Sequence, residues 1–190
     1  MRIAIAIPHS DYFTVPWKFA QSLMLLNNRM NKVFGNVELV MGTCSNVTKN
    51  RNDLLKVVRG YDACLMIDSD MTFAPTIGEK LIEHLEKYDI ACGSYVNGTY
   101  PYNPAIYKFT DKFEPIEPVG VQEIDGCGFG FVALNKKAMQ LTFEELDGVG
   151  EDLTFCRKAK QQGLKIVCDS SLKVGHLRLL GLDMDNRKIL

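Results

Sequence analysis

The stretch with the clearest chemical potential is Asp68-Ser69-Asp70, which follows the apolar run Ala63-Cys64-Leu65-Met66-Ile67 without a break. In an extended chain residues two apart project to the same side. The two carboxylates therefore aim at one point and repel each other unless a cation lies between them. Oxygen donors at a strand end suit Mg²⁺ or Mn²⁺ holding a substrate's phosphates, with water or ligand in the remaining positions. The plainer alternative is a turn, with Asp68 accepting backbone N–H bonds and Asp70 solvated. A second acidic pair, Glu151-Asp152, follows Gly150 and opens a stretch carrying Leu153, Cys156 and Ala159 at helical spacing. Acids at a helix start are favoured by the dipole and the free N–H groups alone. The same position also holds a carboxylate rigidly enough to serve as general base toward an attacking hydroxyl. His176, in Val174-Gly175-His176, is an ordinary imidazole unless the fold carries it back to Asp68 and Asp70. If it does, two carboxylates and an imidazole favour Mn²⁺ or another transition metal over Ca²⁺.

Asp125-Gly126-Cys127-Gly128-Phe129-Gly130-Phe131 places three glycines on one face if extended. A face without side chains lets a ligand approach the backbone, or lets the strand pack closely against its neighbours. It is not GxGxxG, and no Gly-Lys-Ser/Thr P-loop occurs anywhere, which excludes the usual dinucleotide and P-loop sites. Arg51, beside Asn52, either reaches a diphosphate with its guanidinium fork or decorates a solvated helix face. Tyr95, Tyr100, Tyr102 and Tyr107, interleaved with Asn97 and Asn103, either wall a cleft and stack on a sugar or form an ordinary loop.

Elements must position these groups. Ile3–Ile7, closed by Pro8, reads as a buried strand, as do Val37–Met41, Ala63–Asp68 and Ile90–Tyr95. Between them lie helical patterns: one from Trp17 to about Met30 with Trp17, Ala20, Leu23, Met24 and Leu26 as its apolar positions, and one from an Asn46 cap to Gly60. A third opens with a Thr76-x-x-Glu79 capping box. Continuous apolar strands, each followed by a helix, imply a parallel sheet covered on both faces. After Tyr95 the pattern is broken by Gly98, Pro101, Pro104, Pro115 and Pro118 into short segments. Phe129–Leu134, a helix from Asp152 to Gln162 ended by Gly163, and strands Lys165–Cys168 and Leu172–Val174 complete an α/β fold read as one domain over residues 1–190.

The 190 residues are 46% apolar and 24% charged, near the globular average. Lys plus Arg number 22 against 23 Asp plus Glu, a net charge of -1. That balance argues against a nucleic-acid partner or a polybasic membrane anchor and favours small molecules. The six cysteines show no CxxC or zinc spacing, and several sit in apolar runs. Free thiols of this kind fit a reducing, cytoplasmic setting. The apolar stretch at Ile3–Ile7 is too short for a signal core, and nothing approaches a membrane span.

In their order, three of these segments resemble the GT-A-fold glycosyltransferases, in particular the short family 2-like enzymes of phages, archaeal viruses and prokaryotes. They are Tyr61 to Met71, Asp125 to Phe131, and Gly150 to Arg157 continuing to Val174-Gly175-His176. The resemblance implies a Rossmann-like, mostly parallel central sheet with helices on both faces. It implies that Asp68, Asp70 and His176 hold Mn²⁺ or Mg²⁺ against the diphosphate of a nucleotide sugar. Pro8, His9, Arg51 and Asp68 would contact the nucleotide, with Ser69 beside its ribose, and Asp125 and Gly126 would meet the donor sugar. Asp152 would be the base for a glycan or other hydroxyl-bearing acceptor, with Glu151 orienting it. A tail over residues 179–190 would close over the donor. The acid that many such enzymes carry after the second strand has no counterpart in Gly42-Thr43-Cys44-Ser45, so the base is unspecified. Inverting and retaining outcomes both remain open. The competing readings are a non-catalytic sugar-nucleotide or glycan-binding module and a nucleotidyltransferase, which would need a basic residue where Pro8-His9-Ser10-Asp11 stands.

Overall fold

Ile3, Ile5 and Ile7 alternate with Ala4 and Ala6, and all of them are fully buried, the mark of a strand covered on both faces. The computed structural model describes residues 1–10, 15–98 and 101–178. In chain order its elements are β1 (Ile3–His9), α1 (Trp17–Phe34), β2 (Val37–Thr43), α2 (Val47–Val58), β3 (Ala63–Ile67), β4 (Met71–Phe73), α3 (Ile77–His84) and β5 (Ile90–Ser94). There follow β6 (Ile106–Phe109), β7 (Phe113–Pro115), β8 (Val121–Ile124), β9 (Gly126–Cys127), β10 (Phe131–Asn135), α4 (Glu151–Gln161) and β11 (Ile166–His176). The expected tail over 179–190, together with Tyr100 and Asp11, lies outside the described residues.

The main sheet has eight strands, in the order β2-β1-β3-β10-β5-β11-β4, with β8 also paired to β11. β1 runs parallel to β2 and β3, and β5 parallel to β11. The expected run of parallel neighbours is broken after β3, because β10 lies antiparallel between β3 and β5. Helices cover both faces. α1 and α3 pack with Ile3, Ile5, Ile7, Leu65 and Phe131; α2 and α4 pack with Ala4, Ala6, Met66 and Val132. The Pro- and Gly-punctuated region forms a separate three-stranded sheet, β7-β6-β9.

Several local expectations change. The buried face of α1 is Phe19, Leu26 and Met30, while Trp17 and Met24 stay exposed. Thr76 makes no side-chain cap, its backbone being αR rather than extended, and Glu79 receives a two-point bond from Arg29 at 2.8 and 2.9 Å, tying α3 to α1. Asn46 does cap α2, accepting from the Lys49 N–H at 2.7 Å. Gly163, at φ +74°, ends α4 with Leu164 N–H on the Ala159 carbonyl and Gly163 N–H on that of Lys160. The two short strands expected near the end are one strand, β11, whose register shifts between Asp169 and Lys173. Cys64, Cys92, Cys127, Cys156 and Cys168 are buried free thiols and Cys44 is half-buried. Among the described residues no helix is long and apolar enough to cross a membrane.

Candidate functional site

From β1 the chain moves outward to β2, then crosses back over β1 to β3. Such a reversal opens a crevice at the carboxyl ends of the strands, and here it is a cleft of about 930 Å³. Its lining includes the expected Pro8, His9, Asp68, Ser69 and Asp70. His9 Nδ1 and Ser69 Oγ lie 3.2 Å apart, joining the loops after β1 and β3 across the crevice.

β4, immediately after Asp70, pairs antiparallel with the end of β11, setting Met71 opposite His176 and Phe73 opposite Val174. That register brings His176 Nε2 to 3.2 Å from Asp70 Oδ2. His176 Nδ1–H donates to the Val96 carbonyl at 3.0 Å, which fixes Nε2 as the nitrogen turned to Asp70. Burial opposes ionisation of Asp70, but the His176 hydrogen bond, followed by the charges of His176 and Arg178, outweighs it and holds the carboxyl below its ordinary range. The same bond raises His176 against the opposing effect of burial.

Asp68, also in the cleft lining, accepts from a different partner. Arg51 is only 4% exposed and donates through Nη2 to both Asp68 oxygens, at 2.9 and 3.0 Å, while its Nη1 pairs with Glu151. Burial alone would lower the guanidinium's proton affinity; the charges of Asp68 and Glu151 more than reverse this and raise it. Arg51 is thus neither on a solvated helix face nor in the cleft lining, and Glu151 meets Arg51. Asp152, next along α4, accepts the Leu153 N–H at 2.7 Å. Burial pushes its carboxyl up, Arg51 pulls it back, Glu151 adds to the rise, and the net result lies above the ordinary aspartate value. A half-buried carboxylate with raised proton affinity at a helix start is suited to accept a proton, though both Asp152 and Glu151 lie outside the cleft lining.

Asp125 and Gly126 lie outside the cleft lining. The Asp125 carboxylate accepts the Phe109 N–H at 3.1 Å and pairs with Lys160 at 3.2 Å, and a Cβ at Gly126 would press on Phe113 and Leu153. The glycine face is filled by the protein itself. The Tyr95 hydroxyl sits where a Gly128 side chain would be and accepts the Gly130 N–H at 3.0 Å. The other edge of Tyr95 meets the His176 ring in a T-shaped contact, 5.7 Å between centroids. Tyr95 is a prop beneath the imidazole, and the glycines are its seat.

Three cleft residues were not among the expected site residues. Trp17, 69% exposed, looked like a core position because it shares the helical spacing of α1. Asn50 ties the crevice floor together, donating to the His9 and Cys44 carbonyls at 2.8 and 3.0 Å. Arg178 reaches the lining from just beyond β11. For Trp17, the one legible hint was its place directly after Pro16, at a helix start facing the strand ends.

Among the described residues no group of three or more His, Cys, Asp and Glu side chains converges to hold a metal ion. Of the expected trio, Asp70 and His176 are brought together, while the Asp68 carboxylate accepts from Arg51. The Asp70–His176 separation of 3.2 Å is close to that of neighbouring ligands about 2.1 Å from a divalent ion. The Nδ1–H bond to Val96 is the outer contact that orients a ligating imidazole. The pair fits an ion held jointly with a ligand's own oxygens.

No protein-family model matches the sequence, and no curated protein matches it either. Solved structures do share its fold. A197 from STIV superposes with a TM-score of 0.66 at 22% identity, covering 94% of this chain and 87% of that one. Residues 1–349 of TarS from S. aureus, in complex with UDP-GlcNAc, give a TM-score of 0.60 at 14% identity, covering 100% of this chain and 62% of that one. The inositol-1-phosphate CTP transferase from T. maritima gives 0.55 at 13% identity, covering 93% and 89%. At these identities the likeness is one of fold: a mixed α/β domain with a mostly parallel central sheet.

Proposed function

We propose that this chain transfers a sugar from a nucleotide-diphosphate sugar to a hydroxyl acceptor. The observation that carries the reading is the Asp70–His176 pair, formed by residues 106 apart in sequence at the edge of the cleft. Two structures of like fold are named for related ligands, one holding UDP-GlcNAc and one a CTP transferase. Asp70 and His176 would hold Mn²⁺ or Mg²⁺, which when bound supplies Lewis acidity to the departing diphosphate. Val96 keeps the imidazole aimed, and Tyr95 supports its ring. Arg51 is a positioning residue: through Asp68 and Glu151 it fixes the start of α4 relative to the end of β3. Asp152 takes the acceptor's hydroxyl proton as the new bond to the anomeric carbon forms and the bond to the diphosphate breaks.

The test is release of nucleoside diphosphate from a panel of nucleotide sugars with Mn²⁺, repeated with EDTA. The reading expects release with at least one donor and its loss with EDTA. Asp152→Asn should lower transfer by about 10²- to 10⁴-fold while leaving donor binding unchanged; equal loss of both would remove Asp152 from the role of base. The likeness to the CTP transferase favours nucleotidyl transfer as the second reading, and release of pyrophosphate from a nucleoside triphosphate would select it.

A further inference from the structure

The fork expected to meet a diphosphate, that of Arg51, is buried and turned onto Asp68 and Glu151. A different guanidinium faces the cleft. We infer that Arg178 is the residue that receives the diphosphate in this cleft, an inference resting on the nucleotide reading above. Arg178 lines the cleft together with Asp70 and Ser69, and its side chain is 48% exposed. Among the described residues its ion-pair partner is Asp70, at 3.9 Å, which is too long for a hydrogen bond. Its fork is thus available to a ligand beside the Asp70–His176 pair. The backbone is anchored next to it, since the Leu177 N–H donates to the Asp70 carbonyl at 2.8 Å.

The berth of this guanidinium is built. At Gly98 a Cβ would overlap its Nη2, Cζ and Nε atoms, so the planar group lies flat on a backbone that has no side chain to displace it. Charge balance points the same way. Asp70 cancels part of the charge of any divalent ion it holds, and Arg51 is turned away onto Asp68 and Glu151, whose two charges its single one only partly offsets. The diphosphate gains a further negative charge as its bond to the sugar breaks, and of the two cleft cations, Lys18 and Arg178, Arg178 is the one beside Asp70. A planar fork matches two phosphate oxygens at once, which a lysine cannot do.

The test is calorimetric titration of UDP, GDP, CDP and ADP, with the parent nucleosides and inorganic pyrophosphate as controls, each with and without Mn²⁺. Wild-type chain should bind one nucleoside diphosphate more tightly than its nucleoside. Arg178→Ala should weaken that diphosphate by about 10- to 100-fold and leave the nucleoside unchanged, with Arg178→Lys between. Gly98→Ala, which displaces the guanidinium without removing it, should weaken the diphosphate as well, by less. Circular dichroism melts of each variant confirm the fold. If wild type binds no nucleoside diphosphate, the proposed function fails and the inference with it. If it binds one and Arg178→Ala binds it equally, the inference alone is overturned.

Discussion

Arg51 shows how far a single side chain's role departs from its exposed alternative. Its fork closes on two carboxylates that otherwise repel each other, and its Cζ lies 5.6 Å from the ring centroids of both Phe129 and Phe143. Arg51→Ala should lower unfolding free energy in urea by about 3 kcal/mol, because it leaves carboxylates without their counter-ion. Arg51→Lys should cost less, since the charge survives and the fork does not. Asp152 makes a prediction of opposite kind. As the base it must be ionised, and burial holds its carboxyl above the ordinary aspartate value. Transfer should therefore fall as pH drops through a point above about 3.9, and a pH–rate profile with its acid limb at or below that value would contradict the role. Trp17 is the only tryptophan and faces the cleft, so its fluorescence reports occupancy directly. A bound base stacking on it should quench the emission, and Trp17→Ala should weaken nucleotide binding by about 1–3 kcal/mol with almost no change in melting temperature.

At the scale of elements, the three residues of β4 matter more than their length suggests. Their antiparallel pairing with β11 converts two remote polar residues into neighbours. The support behind them is the β9–β10 connection, whose glycines admit Tyr95. Gly128→Ala would place a methyl group on the Tyr95 hydroxyl, a rigid ring end that cannot swing away cheaply. The expected loss is about 1–3 kcal/mol, measured by thermal melting, with weaker Mn²⁺ binding because the His176 ring loses its edge-to-face neighbour. An alanine variant as stable as wild type would show that Tyr95 relaxes freely and is no prop.

Across the whole molecule, the cleft, the Asp70–His176 pair and Arg178 meet where β1, β3 and β11 end, while Asp152 stands at the start of α4, outside the cleft lining. Two protein donors make a poor site for an isolated ion and a better one once diphosphate oxygens complete the shell. Mn²⁺ alone should thus shift the melting temperature little. Mn²⁺ with a nucleoside diphosphate should shift it by more than the sum of the separate effects, since each ligand stabilises the native state by mass action. Additive shifts would mean that ion and nucleotide bind apart.

Local rules already written in the residue order account for much of this fold. The alternation of Ile and Ala in β1, the Asn46 cap and the Gly163 stop each depend on neighbours within a turn or a strand, so they were legible without coordinates. So was the placing of Pro8, His9, Ser69 and Asp70 at strand ends, because parallel strands followed by helices leave their carboxyl ends open. What only tertiary structure decided was which of those groups face one another. Strand pairing over long separations is selected by packing of the entire sheet, so neither the insertion of β10 beside β3 nor the register of β4 on β11 could be read from local pattern. Those two pairings seat Tyr95 on glycines and deliver His176 to Asp70, and the approach of α2 to the end of β3 and the start of α4 turns Arg51 inward.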